Sequence, residues 1–259
     1  MSPVAYARTL SMCLGIRVFG ADLAMYAVGV KPPTRYYALA AFCIVFFLLA
    51  QAFQELAYIF WIPKTHGPAE DLLVYLLRVD QSRALGVMGT LILLIVPYAV
   101  VALRYFAVAQ LASLLGLISG TAFIGFEMLI RSIDFFAVGG RWAHEMASAS
   151  PVIRDLILSR FALWNDAVHG LTFPLRMAAF LASCSFALAS SNETGWYRLG
   201  QAAFVLNALR LLGRLVSSYA GQAWLDSLND SLYFPGVFAI NAMLIAWFVL
   251  LWREDTLER

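Results

Sequence analysis

The chain has 259 residues, 62% of them hydrophobic and 13% charged, roughly half the charge of a soluble domain, which carries about 25%. That shortage excludes an ordinary water-soluble globule, and a formal net charge of +2 spread over scattered basic residues argues against nucleic acid as a partner. Apolar runs long enough to cross a bilayer recur, so the predicted fold class is all-α: a polytopic membrane helix bundle in a single integral membrane domain, 1–259.

Residues 3–30 are apolar enough for a helix but carry Arg8, Arg17 and Asp22. They form either a seventh span that buries an Arg17/Asp22 pair or an interfacial helix. A charge at bilayer centre costs about 2.5–3.5 kcal/mol on insertion scales, which favours the interface. The opening residues lack the basic, apolar and small-residue regions of a cleaved signal peptide.

Six spans are predicted, at 36–62, 84–103, 105–130, 171–191, 197–221 and 233–252. Pro32, Pro33 and Pro63 bracket the first, and Tyr36, Tyr37, Tyr58, Phe60 and Trp61 crowd its ends as an interfacial aromatic belt does. Two amphipathic interfacial helices are expected besides. One covers 67–83, with Pro68 in its first turn beside Glu70 and Asp71, and Arg78 near its far end. The other covers 150–170, with Ser150 at the N-cap, Pro151 at N1 and Gly170 at C′. The 131–170 connection is then the longest, and it caps the bundle on one side.

Basic residues divide almost evenly between the two faces of the membrane. Their slight excess puts both termini in the cytoplasm, in a bacterial-type cytoplasmic membrane. Small residues recur every fourth position at Ala112, Gly116 and Gly120 and again at Ala179, Ser183 and Ala187. Such spacing lets backbones approach closely in lipid, and an intramolecular helix contact is the expected use. Cys13, Cys43 and Cys184 stand singly in apolar stretches and support neither a disulfide framework nor a zinc site. Asn192-Glu193-Thr194 matches a glycosylation sequon in a short loop, a weak signal.

Four groups of polar residues could carry chemistry. Glu127, Arg131 and Asp134 in GFEMLIRSIDFF share one helical face. They either pin a helix end at the interface or provide partners for arginines elsewhere. Asn207, Arg210 and Arg214 lie along one face of the fifth span, with Arg210 near its middle. An arginine there keeps its charge and must face protein, water or an anion rather than acyl chains. It pairs across the bundle with Glu127, Asp134 or Glu55, or it binds a ligand. Gln51 and Glu55 form a third group in the first span, with Asn241 at membrane depth in the last. The fourth group, His144, Glu145, Asp166 and His169, offers metal-ligand atoms but no complete motif.

Nearly all the positive charge is guanidinium, since only Lys31 and Lys64 are lysine. Arginine suits planar pairing with carboxylates and phosphates. The favoured expectation is a transporter- or permease-like protein whose arginine-lined interior takes an anionic small molecule or a lipid headgroup, with Arg131 and Arg176 contributing and Pro97 and Pro174 breaking helices around the site. A membrane enzyme using His144, Asp166 and His169 at the surface is one alternative. A non-catalytic assembly subunit whose charges fix helix register is the other. No cofactor is specified by any motif.

Overall fold

The computed structural model describes residues 32–64, 67–220 and 223–257. The region 3–30, expected to be a seventh span or an interfacial helix, lies outside the described residues. Among those residues the secondary structure is entirely helical. The helices are α1 (Thr34–Phe60), α2 (Pro68–Val74), α3 (Arg78–Leu93), α4 (Ile95–Tyr105), α5 (Gln110–Ile133), α6 (His144–Ser148), α7 (Pro151–Ala189), α8 (Arg198–Ala220) and α9 (Ala223–Leu257). Among the described residues, six stretches are long and apolar enough to span a bilayer: Thr34–Phe60, Arg78–Tyr105, Gln110–Ser148, Pro151–Ala189, Gly195–Tyr219 and Asp230–Glu254. The chain is therefore a polytopic integral membrane protein.

Successive spans pack side by side, and the last closes on the first. α1 lies against α3 and α4, these against α5, α5 against α7, α7 against α8, α8 against α9, and α9 against α1. Short connections make neighbours antiparallel. A closed ring of six helices has an axis that side chains must either fill or leave open. Here the two halves of the axis differ.

At the end holding Thr34, Tyr105 and Ala189 the axis is filled. Tyr37, Val101, Tyr105, Phe186, Phe204, Trp247, Phe248 and Leu251 form one buried cluster contributed by five helices. The Tyr105 and Trp247 rings stack with centroids 6.5 Å apart, and Phe204 meets Trp247 edge-on at 6.2 Å. The predicted small-residue stripes make this packing possible. A Cβ on Gly116 would come within 2.5 Å of the Phe186 ring, and one on Gly120 within 2.7 Å of the Tyr98 ring. The stripe is thus an intramolecular contact, as its sequence suggested.

Three boundaries differ from the sequence-based expectation. The segment 67–83 is not one interfacial helix. It turns at Tyr75–Leu77, Leu77 is extended, and residues from Arg78 onward already belong to the second span. Burial of Asp80 and Arg83 against each other outweighs their surface-like polarity. Pro97 falls in the first turn of α4, where no intrahelical N–H bond is due, so the span divides at Leu94 instead of kinking at the proline.

The helix at 150–170 also fails to stop at Gly170. It begins at Pro151 after Ser150, as expected, and then runs unbroken to Ala189 through Gly170 and Pro174. Gly195 is the glycine with positive φ among the described residues, so Gly170 lacks the left-handed geometry of a C′ residue. A Pro ring presses on the carbonyl four residues earlier, which here belongs to Gly170, a residue able to yield. Tyr219 on α8 donates to the His169 carbonyl at 2.9 Å, tying this stretch to the neighbouring helix.

The third span does not end near residue 130. It continues through a π-helical segment, Asp134–Ala143, into α6 and ends at Ser148. Most of the predicted 131–170 connection is therefore helix. Leu72, Val138, Ala143, Met146, Ile157 and Phe161 form the core that packs this extension against α2 and α7.

Candidate functional site

Below the filled end, the ring encloses a cavity of about 480 Å³. Its cationic wall comes from the fourth and fifth spans: Arg176 on α7 and Arg210 and Arg214 on α8. At 1.5 Å per residue, Arg210 stands roughly 18 Å along α8, near the middle of the membrane-crossing length. The spacing 207, 210, 214 puts all three side chains on one face, and the ring turns that face inward.

Arg210 donates to Asn207 Oδ1 through Nε at 3.2 Å and Nη2 at 3.0 Å. Asn207 in turn donates to Ser183 Oγ on α7 at 2.8 Å. Among the described residues Arg210 pairs with no carboxylate, so the expected partners Glu127, Asp134 and Glu55 do not fill that role. Arg214 pairs with Asp230 at 3.0 Å, a residue whose side chain is 72% exposed and which is not part of the cavity lining. Arg176 donates to Ser218 Oγ and to the Arg214 carbonyl. The Tyr233 ring on α9 lies 4.9 Å from the Arg214 guanidinium and 5.7 Å from that of Arg210. Such cation–π contact helps to orient the guanidinium planes.

The Glu127/Arg131/Asp134 stripe lines the same cavity. Glu127 and Arg131 form an ion pair at 2.8 Å, one helical turn apart on α5. Asp134 accepts from the indole N–H of Trp164 at 2.8 Å. The stripe is thus satisfied within α5 and by the adjacent α7. It neither terminates a helix, since the chain continues helically, nor pairs with the fifth-span arginines.

Asp134 opens the π-helical segment, where Gly139 and Gly140 remove two side chains from the turn. π-Helical turns are rare and frequent at functional sites. A small void beside Tyr75, Asp80 and Arg83 shares Arg131 and Asp134 with the cavity. Asp80 and Arg83 there form a buried pair at 2.7 Å, with Tyr58 4.9 Å from the guanidinium. Tyr75 lies outside the spans, and burial pushes its phenol above the usual range.

Of the other sequence-predicted residues, Gln51 and Asn241 line the cavity and Glu55 does not. Gln54, one position earlier, takes its place and meets Arg83 at 3.5 Å. The i,i+4 pairing of Gln51 with Glu55 hid this, because Gln51 and Gln54 at i,i+3 share the inward face equally well. Asp80, Arg83, Gln54 and Tyr233 were missed as site residues; the apolar flanks of 84–103 and the acidic first turn at Asp80 were the available signals.

The metal candidates are not assembled. Among the described residues no group of three or more His, Cys, Asp or Glu is placed to hold a metal ion. Glu145 pairs with Arg141 at 2.9 Å, and His144, Asp166 and His169 are exposed.

At the filled end, Arg104 of the second span and Glu193 of the loop before the fifth form an ion pair at 2.8 Å. Tyr105 donates to the same Glu193 oxygen at 2.8 Å, and Arg104 donates to the Tyr37 hydroxyl at 3.2 Å. Four arginines and two carboxylates line the cavity among the described residues. The lining thus carries a formal excess of positive charge, offset in part by the Asp230 carboxylate on Arg214. Neither a known protein family, nor a curated protein, nor a solved structure matches this chain.

Proposed function

We propose that this membrane protein binds an anionic solute or lipid headgroup in its central cavity and carries it across the bilayer, as a small transporter or permease. One observation carries the reading: Arg210 stands at mid-membrane on the cavity wall, with Asn207 rather than a carboxylate as its hydrogen-bond partner among the described residues. A guanidinium at that depth needs compensating charge. A bound oxyanion would supply it through the fork geometry that guanidinium offers. Arg176 and Arg214 line the same wall and add attraction for the same ligand.

The layout suits movement as well as binding. The Arg104–Glu193 pair and the aromatic cluster close one end of the ring, while the charged residues extend towards the other. Opening of that closed end would expose the cavity to the second side, which is the requirement for alternating access.

The test is anion uptake into liposomes reconstituted with the purified chain, using labelled phosphate, phenyl phosphate, succinate and benzoate. Uptake of at least one anion that disappears in Arg210→Gln is expected. Absence of both uptake and binding for every anion would overturn the proposal.

A further inference from the structure

We infer that the ligand is an organic oxyanion, a phosphate or carboxylate carried on an apolar or aromatic body, rather than an inorganic anion. The inference rests on the anion-binding reading above and specifies the other half of the ligand.

The first support is size. A water occupies roughly 30 Å³ in the liquid, so a cavity of about 480 Å³ has room for far more than a small inorganic ion. Sites of roughly 300–1,000 Å³ are those that take organic ligands.

The second support is the division of the lining. Arg176 and Arg210 belong to the fourth and fifth spans; the first and second spans stand across the ring from them, and the third packs beside the fourth. The residues the first three spans present to the cavity at matching depth are Phe47 on α1, Leu91 and Leu94 beside the α3–α4 junction, and Phe123 on α5. Measured at 1.5 Å per residue from the Tyr105 end, Phe47, Leu91, Phe123, Arg176 and Arg210 all lie roughly 18–21 Å along their helices. One level of the cavity therefore has guanidinium groups on the fourth and fifth spans and aromatic and aliphatic side chains on the first three.

A small hydrated anion seated on the arginines would lose water towards the apolar wall and gain nothing there. An anion with an apolar body satisfies both walls at once. Tyr233 adds an aromatic face beside the guanidinium groups themselves.

The experiment is calorimetric titration of the purified full chain in a neutral maltoside detergent with inorganic phosphate and with phenyl phosphate, and in parallel with acetate and benzoate. Phenyl phosphate is expected to bind at least tenfold more tightly than inorganic phosphate, and benzoate more tightly than acetate. Equal affinities within each pair overturn the inference and leave the anion-binding reading standing. Failure of all four to bind overturns that reading itself.

The comparison is made on the unaltered protein, so it does not depend on any variant folding. Phe47→Ser should reduce the ratio of phenyl phosphate to inorganic phosphate affinity, and Arg210→Gln should weaken both. In nanodiscs, displacement of phenyl phosphate by phosphatidic acid added to phosphatidylcholine supports the inference with a lipid headgroup as the source. Indifference to phosphatidic acid supports it with a soluble anion.

Discussion

Arg210 and Asn207 face each other across one turn of the fifth span, and two of the guanidinium nitrogens, Nε and Nη2, converge on a single amide oxygen at 3.2 and 3.0 Å. The amide is itself held by Ser183 of the neighbouring helix at 2.8 Å. A neutral acceptor orients the arginine without cancelling its charge, as the proposed anion site requires.

Changing that acceptor separates stability from binding. Asn207→Asp places a carboxylate against Arg210, so the protein should melt at a temperature equal to or above the wild type while losing most of its affinity for phenyl phosphate. Asn207→Leu should instead lower stability by about 1–3 kcal/mol, the cost of a buried polar group left without its partner. Thermal melting and titration of the two variants check both statements. Wild-type affinity in a well-folded Asn207→Asp protein would count against the site.

Glu127 and Arg131 are a local pair whose side chains are 18% and 26% exposed. Their coupling should lie between the roughly 1 kcal/mol ceiling of exposed pairs and the roughly 3 kcal/mol of buried ones. A double-mutant cycle on Glu127→Gln and Arg131→Gln in a reversible unfolding assay measures it. Because the pair is self-contained, exchanging the two residues should restore most of the stability that either single change removes.

The Arg104–Glu193 contact is more deeply buried, with side chains 12% and 16% exposed, and it joins the second span to the loop before the fifth. Glu193→Gln also weakens the acceptor for Tyr105. A loss of about 3 kcal/mol is expected. The same variant should raise the labelling rate, from that side, of a cysteine introduced at Asn241, which lines the cavity.

Glycine substitutions report helix approach. Gly200→Val drives a side chain into the Trp247 indole, whose ring atoms lie 2.5 Å from the position of a Cβ. Overpacking of this kind costs about 1–3 kcal/mol. Gly125→Ala on α5 meets nothing within 4 Å and should stabilise the helix by about 0.5–1 kcal/mol. Melting temperatures that move in the same direction for both would contradict the packing described.

Accessibility tests the cavity directly. With Cys13, Cys43 and Cys184 replaced, single cysteines at Arg210, Arg214 and Gln51 should react with an impermeant thiol reagent, because these positions line the cavity. A cysteine at Ser113, fully buried between helices, should stay protected. Protection at Arg210 and Gln51 together would mean a dry interior and would remove the basis for transport.

The sequence by itself determined that this protein lives in a bilayer as a bundle of helices, and where six of them run. Those properties follow from the local sum of hydropathy over about twenty residues, which neighbours in space cannot reverse. It also picked out Arg210 and Asn207, because an arginine at the centre of an apolar run is costly wherever its helix is placed. Only the tertiary structure decided what each charge faces. Glu127 and Arg131 satisfy each other, Asp134 turns to Trp164, and Asp80 and Arg83 sink into the bundle from a segment that reads as surface. Helix ends at Gly170 and near residue 130 were local stop signals overruled by packing against neighbouring helices. The cavity itself is a property of the ring: it exists because the last span closes against the first, a contact between residues some two hundred positions apart that no local pattern encodes.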